Sequence, residues 1–307
     1  MSPLASLTIP TRNRADILRK NILSALDQTV PVEIIVLDDG STDHTAEMMR
    51  TEFPQVRYER FQGPNGPCFL RNRGAEMATA PILFPIDDDS VFSSNTCVER
   101  TLAEFNHPRI GAVAIPYIQV TEDNIVRTRA PDDEKIYVCP SFLGASYAIR
   151  KDVFLEVGGY TAPLFYMGEE RDLCIRMLDR GYVVRLGLSD PIHHHTSPIR
   201  DASRARRLER RNDLTHAFWN VPFPHVLYHL PGTILSGLIH GLRHHYFPLT
   251  VKAYLDAPIF CLQTPKKRSP VSSHTYRLAR KMNRVRVLSL DEILPQLPPL
   301  DATPTPA

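Results

Sequence analysis

The stretch APILFPIDDDSVF, residues 80–92, decides how this chain is read. Ile82 to Ile86 form an apolar run, and Asp87, Asp88 and Asp89 follow it without a spacer. A run of that length reads as a strand buried on both faces. Three adjacent carboxylates repel one another, so their placement calls for a partner. A divalent cation among them reverses the sign: Mg²⁺ and Mn²⁺ prefer oxygen ligands, and Mg²⁺ is commonly held by one or two carboxylates together with substrate phosphates. On extended backbone Asp87 and Asp89 point the same way and Asp88 points opposite, so Asp87 and Asp89 can address one ligand together. The competing reading is a solvated turn in which an aspartate caps the helix after Ser90.

Working outward, the first 120 residues alternate apolar runs with helical patterns. Strands are expected at SLTIP (from residue 6), VEIIVLDD (32–39), VRYERF (56–61), ILFPI (82–86) and GAVAIP (111–116). Between the first two, RADILRKNILSALDQ places Leu18, Ile22, Ala25 and Leu26 on one helical face. Asp43 is placed to cap the helix HTAEMMRTEF, and residues 66–79 and 93–105 also read as helices. Strands alternating with helices imply an α/β domain with a mainly parallel sheet. Such sheets bind ligands beyond the carboxyl ends of their strands. The ends here carry IPTRNR (Pro10, Thr11, Arg12, Arg14), DDGSTD (Asp38, Asp39) and DDDS. Three polar loops in register indicate a site. Asp38 and Asp39 can accept hydrogen bonds from a nucleobase or ribose, although Asp and Gly after a strand are ordinary turn residues. Arg71, in the helix opened by Asn65 and Gly66, can hold a phosphate as a bidentate donor. Arg73 shares that helix, and arginines on helices are commonly only solvated.

Composition sets the outer bounds. The 307 residues carry a net charge of +2 and are 43% hydrophobic, which suits one large domain or one domain plus appendages. That charge selects no class of partner. Five cysteines without a C-x-x-C pair fit a reduced, intracellular protein rather than a disulfide or zinc scaffold. No signal peptide and no transmembrane helix is expected.

Five stretches together resemble glycosyltransferase family 2, the inverting sugar-nucleotide transferases of GT-A fold. SLTIPTRNR looks like the family's first strand and nucleotide loop. IIVLDDGSTD is close to its VVDDGSTD. NGPCFLRNRGAEMATAPILFPIDDDS resembles its N-x-G-x-x-x-x-R-N-x-G helix leading to the D-x-D strand. GASYAIRKDVFLEVGGY, opened by Gly144, is similar to its acceptor-side segment. GEERDLCIRMLDRGY resembles its G-E-D-x-D-L-x-x-R-x-x-x-x-G-Y. The order and spacing hold over about residues 5–220.

The resemblance implies a nucleotide-diphosphate sugar donor and a carbohydrate or lipid-linked acceptor. It implies that Asp39, with Asp38, contacts the base, and that Thr11 and Arg71 hold the nucleotide with the IPTRNR loop and Asp88 around them. Asp87 would meet ribose or metal and Asp89 the metal, Mn²⁺ or Mg²⁺. Glu170 matches the general-base position. The family usually carries Asp there, which leaves Glu169 as the alternative. Glu169, Asp172 and Arg176 share one helical face, so Arg176 can equally be a structural partner. In PIHHHTSP, the family's H-x-x-S fits His194 and Ser197 best, with His195 second, for the metal or diphosphate. The helix where polysaccharide synthases carry Q-x-x-R-W reads RRLERRN, which points to transfer of a single sugar.

A catalytic domain is therefore expected over 1–220. A helical, basic extension follows over 221–290, and a Pro-rich disordered tail over 291–307. Residues 257–290 hold eight Lys or Arg and no acid. That extension can pack on the catalytic domain or lie against an anionic membrane surface. The expected setting is the cytoplasm or the cytoplasmic face of a membrane, with no nucleic-acid partner. Two other readings compete. A sugar-phosphate nucleotidyltransferase would place a Gly-rich loop after strand one, where PTRNRAD has none. A non-catalytic protein binding nucleic acid or membrane through the basic C-terminus would need neither DDDS nor GEERD.

Overall fold

A computed structural model describes residues 2–195, 201–264 and 268–300. The first half runs β1 (Ala5–Thr11), α1 (Ala15–Leu26), β2 (Val32–Asp38), α2 (Thr45–Glu52), β3 (Arg57–Arg60), α3 (Pro67–Met77), β4 (Ile82–Pro85), β5 (Ser90–Phe92) and α4 (Cys97–Ala103). It continues through β6 (Ile110–Ala114), β7 (Tyr117–Gln119), β8 (Val126–Arg127), β9 (Tyr137–Cys139), β10 (Tyr147–Arg150) and α5 (Lys151–Glu156). Then come α6 (Glu169–Asp179), β11 (Val183–Leu186), β12 (Ile192–His194), α7 (Ala202–Asn220), α8 (Val226–Arg243) and α9 (Phe247–Gln263). The chain closes with α10 (Ser273–Val285), β13 (Leu288–Ser289) and α11 (Leu290–Ile293).

The main sheet has nine strands in the order β13-β9-β11-β6-β10-β4-β1-β2-β3. The block β4-β1-β2-β3 is parallel. Beyond it β10 runs antiparallel to both β4 and β6, and β9 and β13 are antiparallel additions at the far edge. The sheet is thus mixed: its largest parallel block is N-terminal, and β6 and β11 form a second parallel pair between the antiparallel strands. A second, four-stranded sheet, β5-β12-β7-β8, stands beside the acidic turn.

Strand alternation divides the core into two layers. Ile35 and Leu37 of β2 face Leu70 of α3, Phe154 of α5 and Leu173 of α6. Their neighbours Ile34 and Val36 face Leu18 and Ile22 of α1 and Met48 of α2. Leu26 does not join the α1 face; it is 42% exposed, because it sits at the edge of the arc centred on Leu18, Ile22 and Ala25. Asp43 lies one residue before the α2 cap, at His44, yet still accepts the Thr45 N–H at 3.1 Å.

The C-terminal part departs from a single extension. The helices α8 and α9 pack as a hairpin on α7, whereas α10 returns to α6 and β13 pairs with β9. Leu278, Met282, Leu290, Ile293 and Leu297 form one apolar cluster with Val138 and Leu178. The Pro-rich stretch is therefore packed as far as Leu297, its apolar residues satisfying that cluster, and only 301–307 of the expected tail lie outside the described residues. Among the described residues no helix is long and apolar enough to cross a membrane.

Helix α3 approaches the sheet closely at Gly74, where an added Cβ would stand 2.7 Å from Thr8 Cβ and 2.8 Å from its Cγ2. Both atoms belong to Thr8, a β-branched side chain buried in β1, so they cannot yield cheaply. Gly74→Val is expected to lower stability by about 1–3 kcal/mol through overpacking. Urea unfolding should show an earlier midpoint at unchanged slope, and an unmoved midpoint would contradict this seating of α3.

Candidate active site

One cavity of about 780 Å³ opens beyond the carboxyl ends of β1, β2 and β4. It is lined by Pro10, Thr11, Arg12, Arg14, Asp39, Arg71, Asp87, Asp88, Asp89, Gly144, Glu169, Glu170 and His194. Three of the expected site residues are placed elsewhere. The carboxylate of Asp38 is buried in its own loop, accepting from Ser41 N at 2.7 Å and Tyr58 Oη at 2.5 Å. Asp172 is buried under α6, where Arg176 (2.8 Å), Thr161 and Asn220 meet it. His195 is exposed and donates its backbone N–H to Asp89 O at 2.8 Å. Ser197 lies outside the described residues.

The acidic segment is a turn, not a continued strand. β4 ends at Pro85, and Ser90 N donates back to Asp87 O at 3.1 Å. Asn21, on the buried face of α1, holds that turn by donating to Asp87 O (2.9 Å) and Ser90 O (2.5 Å). The turn divides the three carboxylates. Asp88 accepts from Thr11 Oγ1 and Arg14 Nη1, each at 2.8 Å, and burial raises it to about 6 against the pull of Arg14. Asp87 and Asp89 gather with His194, each offering a ligand atom within 4.8 Å of the others.

This trio fits a divalent cation. Asp89 Oδ1 is buried with no hydrogen bond and lies 3.3 Å from His194 Nε2. Gln119 Oε1 stands 2.8 Å from His194 Nδ1. A Gln carbonyl accepts only, so Nδ1 carries a proton, and in the neutral imidazole Nε2 is the nitrogen that can offer a lone pair to a cation. Two carboxylates with one imidazole suit Mn²⁺-type ions. Burial works against the charge of Asp87, but Arg71, helped by Arg14, more than offsets it and holds the carboxyl below its usual value.

Arg71 is the centre of the site. Only 3% exposed, its Nη2 donates to Asp87 Oδ1 (2.5 Å) and Gly144 O (3.0 Å), and its Nη1 reaches Glu169 Oε1 (3.3 Å). Its neighbour on the helix, Arg73, only pairs with Glu76 and Glu59 at the surface. Glu170 accepts the Gly144 N–H at 3.1 Å and remains partly open to the cavity. A side chain at 144 would put Cβ 2.4 Å from Glu170 Oε1 and 3.1 Å from Arg71 Nη2, so any larger residue there would push the Glu170 carboxylate out of its place. Burial raises both glutamates; Glu169 rises to about 8, with Glu170 adding repulsion. The loop entering α6 is held in uncommon backbone, with Phe165 and Met167 at φ of 72° and 76°.

Several contributors were not visible in the motifs. Asn21 carries a faint signal, a polar side chain on the apolar face of α1. Gln119 and the Phe165–Met167 loop carry none. Asp39 was read as a base contact, and it lines the cavity, but its carboxylate is also the acceptor for Asn65 N (2.8 Å) and Gly66 N (3.0 Å).

Glu169 supplies a pH test. Its folded carboxyl binds a proton more tightly than in the unfolded chain. The stability it contributes is therefore full below about pH 4.5 and is lost as pH rises through about 8. Across pH 5–8 the wild-type Tm should fall relative to Glu169→Gln. Parallel profiles would contradict the assignment.

The geometry agrees with what the chain is similar to. Residues 6–158 match the Glycosyl transferase family 2 model. The validoxylamine A glucosyltransferase of Streptomyces hygroscopicus subsp. jinggangensis is 34% identical over 119 residues, 37% of this chain and 28% of its own length. An uncharacterized glycosyltransferase of Haemophilus influenzae is 35% identical over 104 residues, covering 33% of this chain and 41% of that protein. The matched stretch is thus well under half of either relative. Among solved structures, the mannosyltransferase PcManGT of Pyrobaculum calidifontis, in complex with GDP-Man and Mn²⁺, superposes with a TM-score of 0.59 at 16% identity, over 93% of this chain and 81% of that one. S. aureus TarS 1–349 gives 0.59 at 15%, over 91% and 87%. These two share the fold. With its GT-A architecture and its match over residues 6–158, the chain belongs to glycosyl transferase family 2.

Proposed function

We propose that the protein transfers a single sugar, with inversion, from a nucleotide-diphosphate sugar to an acceptor hydroxyl in glycan biosynthesis, using Mn²⁺ or Mg²⁺. The observation that carries this reading is that one cavity brings together the trio Asp87, Asp89 and His194 and the pair Glu169 and Glu170, with Arg71 bridging the two groups. At about 780 Å³ the cavity has the size of a cofactor-class site. The mannosyltransferase from Pyrobaculum calidifontis was solved with GDP-Man and Mn²⁺, and TarS 1–349 with UDP-GlcNAc, which supports a donor of this class.

Asp87, Asp89 and His194 would hold the cation, which when bound supplies Lewis-acid stabilisation of the departing diphosphate. Arg71 adds a fixed positive charge beside Asp87, and Arg14 adds another at Asp88 and Asp89. Asp39 shapes the nucleotide end by holding the 65–66 turn. Glu170 is the general base. It is partly open to the cavity, anchored by Gly144, and raised by burial toward working pH, where a base is most effective. It takes the proton of the acceptor hydroxyl as that oxygen forms a bond to the anomeric carbon. The bond from that carbon to the diphosphate oxygen breaks on the opposite face, and the electron pair leaves with the diphosphate. Glu169, locked against Arg71, positions the guanidinium. The setting we propose is the cytoplasm, where five free thiols are stable.

Release of nucleoside diphosphate from UDP-, dTDP- and GDP-sugars with Mn²⁺ or Mg²⁺ tests the reading. One donor should support metal-dependent release, and Asp89→Ala should abolish it. Glu170→Gln should lower kcat by about 10²–10⁴-fold with donor affinity little changed. Turnover of no donor with either metal, or a product of retained anomeric configuration, would contradict it, and long polymers from one donor would sink the single-sugar part.

A further inference from the structure

A second cavity, of about 360 Å³, lies between α7 and α9. Arg204, Arg207 and Arg211 line it from α7, and Asp256, Ile259 and Phe260 from α9. The three arginines fall at i, i+3 and i+7, so they form one row on one helix face. Asp256 is committed to Arg207, at 2.7 Å from Nε and 2.6 Å from Nη2. Among the described residues no carboxylate lies within ion-pair distance of Arg204 or Arg211. Arg204 sits over the Phe165 ring at 4.7 Å, and Arg211 over Phe260 at 3.9 Å. Arg211 is also tied to Leu164 O at 3.1 Å and Asn212 Oδ1 at 2.8 Å, so its guanidinium is fixed in place. Burial, with Arg207 alongside, outweighs the pull of Asp256 and holds Arg211 below its usual value. Three guanidiniums facing one carboxylate in a cavity form a site short of anionic charge.

Two further features say which anion. Arg204 also lines the main cavity, so a ligand in the second cavity stands next to the first. On the other side the rim residue Ile259 belongs to an exposed apolar stripe of α9, with Leu255 at 69%, Ile259 at 55% and Leu262 at 88% exposure. The outer face of α8 adds Leu227, Leu235 and Leu242, each at least 60% exposed. Residues 221–255 contain no acid. A cationic cavity at the edge of an apolar, acid-free face matches an anionic head followed by an apolar tail.

We infer that the cavity between α7 and α9 binds the phosphate group of a lipid-linked acceptor, its apolar chain lying along the α9 stripe and its sugar-accepting end directed through Arg204 into the main cavity. The acceptor role rests on the proposed sugar transfer; the binding does not. Arginine suits the task because its planar fork presents paired donors to phosphate.

Trp219, the sole tryptophan, lies 5.9 Å from the Phe260 ring and reports on the cavity without any donor or metal. Its fluorescence should be titrated with dodecyl phosphate below micelle formation, with dodecyl maltoside and with inorganic phosphate. Dodecyl phosphate should bind at least about tenfold more tightly than either control, because a charge-assisted hydrogen bond and a buried tail each contribute about that factor. Arg204→Gln and Arg211→Gln should each weaken dodecyl phosphate by about tenfold, and Ile259→Ser should weaken it while leaving inorganic phosphate unaffected. Arg204 is exposed, so its variant keeps the test valid if Arg211→Gln unfolds. Asp89→Ala should bind like wild type, which separates this site from the donor site. Equal binding of dodecyl maltoside, equal binding of inorganic phosphate, or indifference to Arg204→Gln would overturn the inference, whatever the outcome of the sugar-transfer assay.

Discussion

A buried guanidinium is the constraint on which the site depends. Arg71 is almost fully enclosed, and a lone charge there would be strongly unfavourable. Asp87, Glu169 and the Gly144 carbonyl surround it, so three segments distant in sequence must arrive together for any of them to be stable. Removing one member of such a group leaves an uncompensated buried charge, commonly about 3–5 kcal/mol. The charge of Asp87 and the hydrogen bond to Glu169 thus tie the acidic turn after β4 to the start of α6. They leave Glu170, the neighbour of the locked Glu169, as the α6 carboxyl that still faces the cavity.

Secondary structure supports this arrangement from both sides. Helix α3 carries Arg71 and can approach β1 because residue 74 is glycine. Helix α6 starts at Glu169, so both glutamates sit in its first turn, where the macrodipole favours negative charge. Its Asp172 and Arg176 then secure the preceding loop through Val157 O and Gly159 O. The turn Asp87–Ser90 is fixed by Asn21 from α1, and His194 is oriented by Gln119 from the second sheet. The aspartate turn and the histidine of the trio are therefore supported from two different elements, as a preorganised site requires.

Much of this was legible because it is written locally. Apolar runs marked β1, β2 and β4, and the polar loops at their ends marked one edge of the sheet. The spacing around Arg71, Asp87 and Asp89 carried the family resemblance that the match over 6–158 bears out, while the motif around Glu170 lies beyond that match. What stayed hidden depends on long-range pairing. Asp38 and Asp39 are adjacent and chemically identical; only the positions of Ser41 and Tyr58 turn one of them inward. Strand alternation pointed to Asp87 and Asp89 together, and the structure gathers these two with His194, although the backbone is a turn rather than a strand. The return of 273–297 to the sheet edge has no local signal, since β13 is two residues long and is defined by β9 alone. Basic residues on α10 read as a charged extension because the apolar face that packs them is shared with Val138 and Leu178, far away in sequence.

The account stands on a cation held among Asp87, Asp89 and His194 in front of Arg71. Electron paramagnetic resonance of Mn²⁺ titrated into the purified protein, with and without UDP or GDP, measures that directly. One bound Mn²⁺ per chain, tightened by a nucleoside diphosphate and lost in both Asp89→Ala and His194→Ala, is the predicted result. Mn²⁺ that stays free with every nucleotide, or binds equally to the two variants, would contradict the central claim.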